Sequence, residues 1–416
     1  MNMNILWISF YGSWTKPLLY ALKATENCKL SMIIPVIGGT ENKVETVDNI
    51  TFFYVAFNKK ECFQSMSRKT FSKYEQIIKQ VKPDIIHVHG TEKNLAQIQN
   101  FIHNIPIVIS IQGLLIGCKS YTYNFLDKKK VFPFKTIKNI LGWGGFNLFY
   151  KNIKKGIPYE NDILTKGNYF FGRTLWDKAY IYFHNSKALY YKGEELLREE
   201  FYENANTWDI NKCNKHTIFI PFGFSPNKGL HLAIETVNIL KKDYPDIHLV
   251  VPGISPDLFN KKLTNIFKGE EYIRYIKNRI IKNQLQNNVT LLPRLNAYEM
   301  IEQMQQAHVF LSASSIENSP NIIGEATMIG TPIVTTPVGG VTSFMTDNKD
   351  CLFAPSGDTY MMAYQIKRIF ENNTLAESLN KNAFKLAQKR HNKKISVQEY
   401  IDAYKNIIEI HKKNIQ

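Results

Sequence analysis

The sequence predicts an α/β fold of two doubly wound parallel-sheet domains, and three observations lead to this prediction. Short apolar runs alternate with amphipathic helical stretches, the pattern of a parallel sheet covered on both faces. The alternation occurs in two series, separated by a polar, Asn-rich linker at 204–216. The 416 residues exceed one ordinary core. We therefore expect domains over 1–205 and 206–395, and a final helix over 396–416 that packs back toward the first domain.

The expected strands follow from the apolar runs, and the expected helices from the amphipathic stretches between them. In the first series the strands are Ile5–Phe10, Ser31–Val36, Ile50–Tyr54, Asp84–Val88 and Ile107–Ile111. In the second series they are Thr217–Pro221, Ile247–Val251, Val289–Leu292, Val309–Ala313 and Pro332–Thr335. Ligands of such sheets bind beyond the carboxyl ends of the strands, so the loops that follow strands are the informative ones.

Composition narrows the class of protein. The apolar and charged fractions are those of a soluble globular chain. No apolar run reaches the ~18 residues of a membrane-spanning helix, and the N-terminus lacks the basic start of a secretory signal peptide. The five cysteines are scattered without a C-x-x-C pair, which indicates a reducing compartment and no metal site. We expect a cytoplasmic protein.

A strongly basic segment covers residues 128–155, with eight lysines and no acidic residue. Aromatic residues, among them Phe132 and Trp143, lie between the lysines. This combination suits an anionic bilayer surface or an anionic acceptor such as a lipid diphosphate. The alternative is a solvated basic loop beside a buried aromatic cluster. Nucleic acid is not expected as a partner, because no recognised nucleic-acid-binding module accompanies the net charge of +16.

A helix start follows the expected strand Val309–Ala313. Ser319 and Pro320 predict it, with serine as the cap and proline as the first helical residue. Gly330 ends the helix about three turns later. The first amides of such a helix, those of Asn321 and Ile322 among them, favour an anion such as a nucleotide diphosphate.

Two glutamates flank this helix start, Glu317 before it and Glu325 about a turn and a half into it. Carboxylates only accept hydrogen bonds, which suits sugar hydroxyls. The alternative is a capped helix with two solvated glutamates. The run Glu317-Asn-Ser-Pro-Asn-Ile-Ile-Gly-Glu325-Ala, followed by Gly330-Thr-Pro-Ile-Val and Val338-Gly-Gly, resembles the E-x7-E signature of retaining GT-B glycosyltransferases of family 4.

The resemblance implies a GT-B architecture, with two Rossmann-like domains facing a cleft, and roles for the donor-site residues. Glu325 would bind the ribose hydroxyls and Glu317 the transferred sugar. The backbone between them, at Ser319, Pro320, Asn321 and Ile322, would hold the distal phosphate. Ser225-Pro-Asn-Lys228-Gly229 resembles the loop whose lysine pairs with the donor phosphates, so Lys228 and Glu317 are the expected catalytic residues.

Other segments fit the same family. Val289-Thr-Leu-Leu-Pro-Arg294-Leu295 resembles the strand and loop beside the base, where Arg294 either stacks on the base or caps the loop. The strand ends at His87-Val-His89-Gly90 and Gln112-Gly113 resemble the acceptor side, with His89 and Glu92 as its expected residues. From their spacing alone, His87 and His89 fit packing better than metal binding. Gly12 occupies the position of the glycine loop near the diphosphate.

Two positions depart from the family pattern. Gly223 stands where many members carry an arginine for the phosphates, and Lys16 is a candidate substitute. Gln112 stands where members often have a histidine that contacts the donor sugar, so the resemblance implies that Gln112 hydrogen-bonds that sugar instead, without a proton to carry. The segments Gly172–Asp177 and Tyr190–Arg198 resemble a bacterial polysaccharide subgroup, and sequence reasoning assigns them no role.

The resemblance implies a hexosyltransferase-type enzyme, EC 2.4, that retains the anomeric configuration and requires no metal or other cofactor. The donor would be a UDP- or GDP-sugar, and the acceptor a polysaccharide or lipid-linked saccharide at the cytoplasmic face of a membrane. Two alternatives are a GT-B epimerase or phosphorylase, and an inactive membrane-surface binding protein. The presence of Glu317, Glu325 and Lys228 favours the transferase over the last of these.

Overall fold

The computed structural model describes residues 3–10, 12, 15–25, 28–57, 61, 64–127, 145–255 and 271–415. The chain divides into two compact units. Unit 1 consists of Met1–Lys119, Asn152–Leu196 and His391–Gln416, and unit 2 of Ser120–Lys151 and Leu197–Arg390. Each unit is built on its own sheet, described below.

The sheet of unit 1 has the strand order β3-β4-β2-β1-β5-β6-β7-β8. Its strands are β1 (Met3–Ile8), β2 (Cys28–Ile37), β3 (Lys43–Val47), β4 (Ile50–Phe57), β5 (Ile85–His89), β6 (Ile107–Ser110), β7 (Tyr169–Gly172) and β8 (Leu189–Lys192). The neighbours pair in parallel, except that the edge strand β3 runs antiparallel to β4. Every residue of β5, β6 and β7 is buried, as expected of a sheet covered on both faces.

Helices connect these strands, and local sequence determines where they begin. They are Lys16–Lys23, Arg68–Val81, Leu115–Cys118, Gly145–Lys166, Leu175–His184 and Lys393–Ile415, with a 3₁₀ segment at Asn94–Asn100. The helix Arg68–Val81 begins where the hydroxyl of Ser67 accepts from the Thr70 amide, and it ends at Lys82, which has a φ of 49°. Helix Leu175–His184 begins with a capping box of Thr174 and Asp177.

The last helix, Lys393–Ile415, packs on one face of the unit 1 sheet. Tyr400 and Tyr404 are buried in the same cluster as Trp7 and other β1 residues. The hydroxyl of Tyr404 lies 2.7 Å from Nδ1 of His87 on β5. The C-terminal helix is therefore part of the core of unit 1, although it is far from β1 in sequence.

The sheet of unit 2 has the order β11-β10-β9-β12-β13-β14, with parallel pairing between neighbours. Its strands are β9 (Asn214–Phe219), β10 (His248–Pro252), β11 (Val289–Leu292), β12 (Ala307–Ser312), β13 (Ile333–Thr335) and β14 (Leu352–Phe353). Its helices are Glu199–Glu203, Leu230–Leu240, Glu271–Lys282, Ala297–Gln306, Asn321–Ile329, Thr359–Phe370 and Asn373–Arg390. The two parallel-sheet units confirm the predicted α/β class.

The segment predicted as a linker, 204–216, is instead part of the unit 2 core. Trp208 is buried, its amide donates to Ile329 O at 3.1 Å, and its indole N–H donates to Ala307 O at 2.8 Å. Ile210 and Cys213 are also buried. The abundant asparagines hide these spaced apolar residues in the sequence, and the division between the units comes earlier, at Leu196 and Leu197.

None of the helices in the described ranges is long and apolar enough to cross a bilayer.

Candidate functional site

Lys228 and Glu317 form an ion pair in unit 2. The Lys228 ammonium contacts Oε1 of Glu317, and the Ser314 hydroxyl donates to the same oxygen at 2.7 Å. The Glu317 side chain is 12% exposed and that of Lys228 is 32% exposed. The sequence singled out both residues, and the fold places a cation and a carboxylate at one point.

The glycine after Lys228 makes this contact possible. Gly229 has a φ of 80°, and a Cβ there would lie 2.1 Å from the carbonyl oxygen of Ala313, just beyond β12. The carbonyl oxygen of Asn227 also accepts from the Ser315 amide at 2.9 Å. The Lys228 turn is thus seated directly on the chain that leads to Glu317.

A second glycine packs against Glu317 from another loop. Gly339 has a φ of 55°, and a Cβ there would lie 2.0 Å from the Glu317 carbonyl oxygen. That oxygen accepts from the Gly340 amide at 2.9 Å. The Val338-Gly-Gly sequence therefore fixes the backbone at Glu317, a role that only a residue without a side chain permits.

The segment 120–127, which precedes the Lys228 loop by about 100 residues and the Glu317 loop by about 190 residues, also supports both loops. The Asn124 amide donates to Pro226 O at 3.1 Å and to Ala313 O at 3.3 Å. The Ser315 hydroxyl donates to Tyr121 O at 2.7 Å. Sequence reasoning missed these supports, because nothing in their residue types points to loops so distant in the chain.

Glu325 is held by an arginine that the sequence reasoning left without a role. Nε of Arg198 donates to Oε1 of Glu325 at 2.8 Å, and one terminal nitrogen donates to Oε2 at 2.9 Å. The carboxylate is 7% exposed. Burial raises the pKa of Glu325, and the Arg198 charge opposes that rise. Arg198 is the last residue of the segment Tyr190–Arg198. The resemblance of that segment to a bacterial polysaccharide subgroup was the one signal in the sequence that could have pointed to Arg198.

The helix that contains Glu325 begins one residue later than predicted. It covers Asn321–Ile329, with Pro320 as the N-cap and no side-chain cap. The expectation that Ser319 caps it is wrong, because the Ser319 hydroxyl accepts from Arg390 at 2.6 Å instead. Asn321 and Ile322 supply the first amides of the helix, as predicted, and such amides lack intrahelical partners.

Arg390 is a second arginine near this segment. Its guanidinium lies 3.6 Å from the centre of the Phe344 ring, and the residue is 9% exposed. Together with Arg198 it places two cations next to the stretch from Ser319 to Glu325. Neither position was predicted, because both are far from that stretch in sequence.

The expected base-side residues follow β11. Arg294 is exposed and Leu295 packs partly against the unit 2 core. The next helix, Ala297–Gln306, is capped by Asn296 and Glu299 in a capping box. The side-chain cap at the start of this helix therefore comes from Asn296 and not from Arg294.

The glycine at 223 has a steric reason. A Cβ there would lie 2.5 Å from Val251 Cγ1 and 3.0 Å from Leu230 Cδ2. Any larger side chain, an arginine included, would have to displace apolar core atoms. The departure from the family pattern is thus built into the packing of unit 2.

In unit 1, a cavity of about 330 Å³ lies at the carboxyl ends of β5 and β6. Its wall includes three of the residues predicted at this edge, His89, Glu92 and Gln112, together with Phe10 and Lys93. Lys93 Nζ lies 3.4 Å from the centre of the Phe10 ring. The fold therefore brings His89 and Glu92, which were predicted on the acceptor side, into one cavity with Gln112, which was predicted as a donor contact.

The two histidines of β5 are uncharged. His87 is fully buried between Tyr404 and the Ser110 hydroxyl, each 2.7 Å from a ring nitrogen, and burial lowers its pKa well below the ordinary value. For His89, burial and the Arg173 charge lower the pKa to about 3. The rings stack at 4.0 Å. His87 is thus a core residue, whereas His89 reaches the cavity wall as a neutral imidazole.

Glu92 and Glu160 are neighbouring carboxylates in unit 1. Oε1 of Glu92 accepts from the Gly113 amide at 2.8 Å, and burial raises its pKa. Glu160 accepts from the amides of Leu115 and Ile116 and from Thr91. Burial, with a smaller contribution from Glu92, raises the pKa of Glu160 to about 7. Sequence reasoning missed Glu160, which lies in a helix and carries no motif.

The remaining predicted features are placed as follows. Gly12 precedes the helix Lys16–Lys23, and its carbonyl accepts from the Thr15 amide at 3.2 Å; its neighbours Tyr11 and Ser13 lie outside the described residues. Lys16 is exposed. Of the basic segment, residues 128–144 lie outside the described part of the chain. Within the described part, no group of three His, Cys, Asp or Glu side chains is close enough to hold a metal ion.

Comparisons with known proteins bear on the family and on the fold of the chain. Residues 205–386 match the family described as Glycosyl transferases group 1. One component of human phosphatidylinositol N-acetylglucosaminyltransferase is 30% identical over 129 residues, which are 31% of this chain and 24% of that protein. The chain thus matches about a quarter of the length of this curated relative.

Two solved structures extend the likeness over nearly the whole chain. Sucrose-phosphate synthase from Thermosynechococcus elongatus has a TM-score of 0.73 at 15% identity and covers 98% of this chain and 99% of its own. HepE from Anabaena, in complex with UDP and glucose, has a TM-score of 0.64 at 13% identity, with coverages of 97% and 100%. At such identities the likeness shows the fold alone, which is the predicted GT-B fold.

Proposed function

We propose that this chain is a retaining family 4 hexosyltransferase, which transfers a sugar from a UDP- or GDP-sugar to a saccharide acceptor. The observation that carries the proposal is the Lys228–Glu317 ion pair, next to the start of the helix that contains Glu325. A cation and unpaired helix amides suit a diphosphate, and the carboxylates suit sugar hydroxyls. HepE, whose structure contains UDP and glucose, has the same fold.

Glu325 would bind the ribose hydroxyls while it remains paired with Arg198. Each carboxylate oxygen has two lone pairs, and the bidentate contact uses one on each oxygen. The second lone pairs can accept from hydroxyls. Arg198 would thus orient the carboxylate for the nucleotide without blocking it.

Lys228 would act on the leaving group. An ammonium has three donor hydrogens, so it can hold Glu317 and a phosphate oxygen together. Negative charge grows on the diphosphate as the sugar departs, and a fixed cation stabilises that charge more in the transition state than in the bound substrate. The diphosphate itself would take the acceptor proton, a reaction that requires neither a metal ion nor another cofactor. Gly12, Arg294 and Leu295 remain proposed donor contacts.

The acceptor would be a polysaccharide or a lipid-diphosphate-linked saccharide, bound through His89 and Glu92 of unit 1. Lys151, Lys154 and Lys155 are exposed on the helix Gly145–Lys166. Exposed lysines there support contact with an anionic bilayer surface, each contributing ~1 kcal/mol. We propose a cytoplasmic enzyme that binds such a surface peripherally.

Thermal unfolding in the presence of UDP-, GDP- and dTDP-sugars tests the donor. We expect stabilisation by a UDP- or GDP-sugar, and a smaller shift for Glu325→Gln, because one acceptor oxygen is replaced by a donor. Glu377→Ala, at an exposed position of the same unit, serves as the control. No stabilisation by any sugar nucleotide would contradict the proposal, and the anomeric configuration of the product, measured by NMR, tests retention.

Sedimentation with vesicles tests the membrane surface. We expect binding to vesicles with anionic phospholipid, little binding to neutral ones, and weaker binding after the combined change of Lys151, Lys154 and Lys155 to Gln. Equal binding to both kinds of vesicle would count against an electrostatic surface contact.

A further inference from the structure

Arg173 is a buried cation in unit 1 that the proposed function does not use. It follows β7, in the segment Gly172–Asp177, for which the sequence suggested no role. Its side chain is 3% exposed and pairs with the Glu195 carboxylate, 9% exposed, at 2.5 Å. A buried ion pair of this kind is costly to desolvate, so its placement calls for a reason beyond stability.

The guanidinium also reaches Gln112. One terminal nitrogen of Arg173 donates to Ile111 O at 2.8 Å and to Oε1 of Gln112 at 3.3 Å. Arginine has no acceptor, so the carboxamide must face it with its oxygen. The NH₂ end of Gln112 is then turned away from Arg173, in a residue that lines the 330 Å³ cavity with His89 and Glu92.

The rest of the segment fixes Arg173. The Asp177 carboxylate accepts from the Arg173 amide at 2.9 Å and from the Tyr190 hydroxyl at 2.7 Å. Thr174 completes a capping box with Asp177. A Cβ at Gly172 would lie 2.4 Å from the Tyr190 ring and 2.7 Å from Asp177 Oδ1. These contacts together fix the backbone at Arg173.

We propose that Arg173 is a positioning residue, which orients the Gln112 carboxamide so that its NH₂ donates to a hydroxyl of the saccharide bound in unit 1. The inference rests on the proposed function. It adds to that function a hydrogen-bond donor, the Gln112 NH₂, that contacts the saccharide. Without Arg173 the carboxamide can rotate and turn its oxygen toward the saccharide, whereas the fixed carboxamide always turns its NH₂ toward it. Glu195 acts one step further back, since it holds the Arg173 guanidinium.

A double-mutant cycle tests the positioning role. Gln112→Ala and Arg173→Met should each lower kcat/KM of sugar transfer about tenfold, the loss expected for one hydrogen bond. The double variant should be lowered about tenfold as well, because Arg173 acts only through Gln112. UDP or GDP affinity should stay unchanged in all three. Additive losses, about a hundredfold in the double variant, would overturn the inference.

A second variant covers the case in which Arg173→Met fails to fold, since it leaves Glu195 unpaired. In Gln112→Glu the carboxylate still accepts from Arg173 but has no NH₂ to donate. We expect unchanged or higher thermal stability together with the same loss of transfer as in Gln112→Ala. Gln80→Glu, at an exposed position of unit 1, is the control and should transfer normally. Full activity of Gln112→Glu would overturn the proposal that the Gln112 NH₂ donates a hydrogen bond to the saccharide.

The outcomes separate this inference from the proposed function. A native protein that binds and transfers no sugar nucleotide contradicts the proposed function. A native protein that transfers sugar, while Arg173 and Gln112 act additively, contradicts only the positioning role. The cycle can also be measured in unfolding free energy, where absence of coupling between the two residues would overturn the contact itself.

Discussion

Arg198 binds both carboxylate oxygens of Glu325, at 2.8 and 2.9 Å, on a helix that begins 123 positions further along the chain at Asn321. The Arg198 side chain is 25% exposed and that of Glu325 is 7% exposed. The guanidinium also lies 4.7 Å from the centre of the Phe201 ring. This pair influences the charge state of Glu325, which is proposed to bind the nucleotide.

Arg198→Met should lower stability by about 2 kcal/mol, less than for a fully buried pair because Arg198 is partly exposed. It should also raise the pKa of Glu325, since the opposing cation is lost. A raised carboxyl pKa means that the folded state binds a proton more tightly than the unfolded state. The deficit should therefore be largest near pH 8 and shrink as the pH falls toward 4.5. Urea unfolding at several pH values measures this loss of unfolding free energy in Arg198→Met. A loss that does not depend on pH would contradict the effect of Arg198 on the pKa of Glu325.

Lys228→Met should lower kcat about a hundredfold, the usual loss when one preorganised transition-state contact is removed. Its effect on stability should be below ~1 kcal/mol, because the pair with Glu317 is partly exposed. Steady-state kinetics with the donor identified by thermal shift give the measurement. Lys381→Met, at an exposed position of the same unit, is the control. A change in KM alone would place Lys228 in ground-state binding instead.

Gly229→Ala and Gly253→Ala form a matched pair in unit 2. Both glycines have positive φ, at 80° and 88°, so both variants should lose about 1 kcal/mol from backbone strain. Gly253 has nothing within 4 Å of an added Cβ, whereas at Gly229 the Ala313 carbonyl oxygen is 2.1 Å away. We expect a total loss of about 3 kcal/mol for Gly229→Ala, with reduced transfer because Lys228 is displaced. Equal losses of stability would contradict the close approach.

Glu160 should make the stability of the protein depend on pH. Burial raises its pKa to about 7 from the ordinary 4.5. The folded state therefore keeps the Glu160 proton at pH values where the unfolded state loses it. The resulting contribution to stability is complete below pH 4.5 and is lost as the pH rises to about 7, a change of about 3 kcal/mol. Glu160→Gln should be less stable overall, since an NH₂ meets backbone donors, but its stability should vary less between pH 4.5 and 7. Parallel pH profiles of the two proteins would contradict this assignment.

Much of the fold could be predicted because its signals are local. The strand Val289–Leu292 has the predicted bounds, since the apolar run that predicts it is local. The final helix, predicted over 396–416, covers Lys393–Ile415 for the same reason. The segment 204–216 was misjudged, because its average polarity concealed the buried residues Trp208 and Ile210.

The candidate site divides in the same way. Glu317, Glu325 and Lys228 stand in short motifs whose residue types suit phosphates and hydroxyls, so the sequence by itself was enough to predict them as donor-site residues. It could not determine their partners. Arg198 reaches Glu325, and Arg390 reaches Ser319, only through the tertiary fold. Ser319 therefore bonds to Arg390 and does not cap the helix Asn321–Ile329.

The sequence alone therefore determined the α/β class and the two-sheet organisation, together with the residues proposed to bind the donor. These depend on periodicity and on motifs within about ten positions of one another. The tertiary structure decided which charges meet: Lys228 with Glu317, Arg198 with Glu325, and Arg173 with both Glu195 and Gln112. The residues in these pairs are 22 to 127 positions apart in the chain. Their contacts depend on the packing of strands whose order in the sheet differs from their order in the chain.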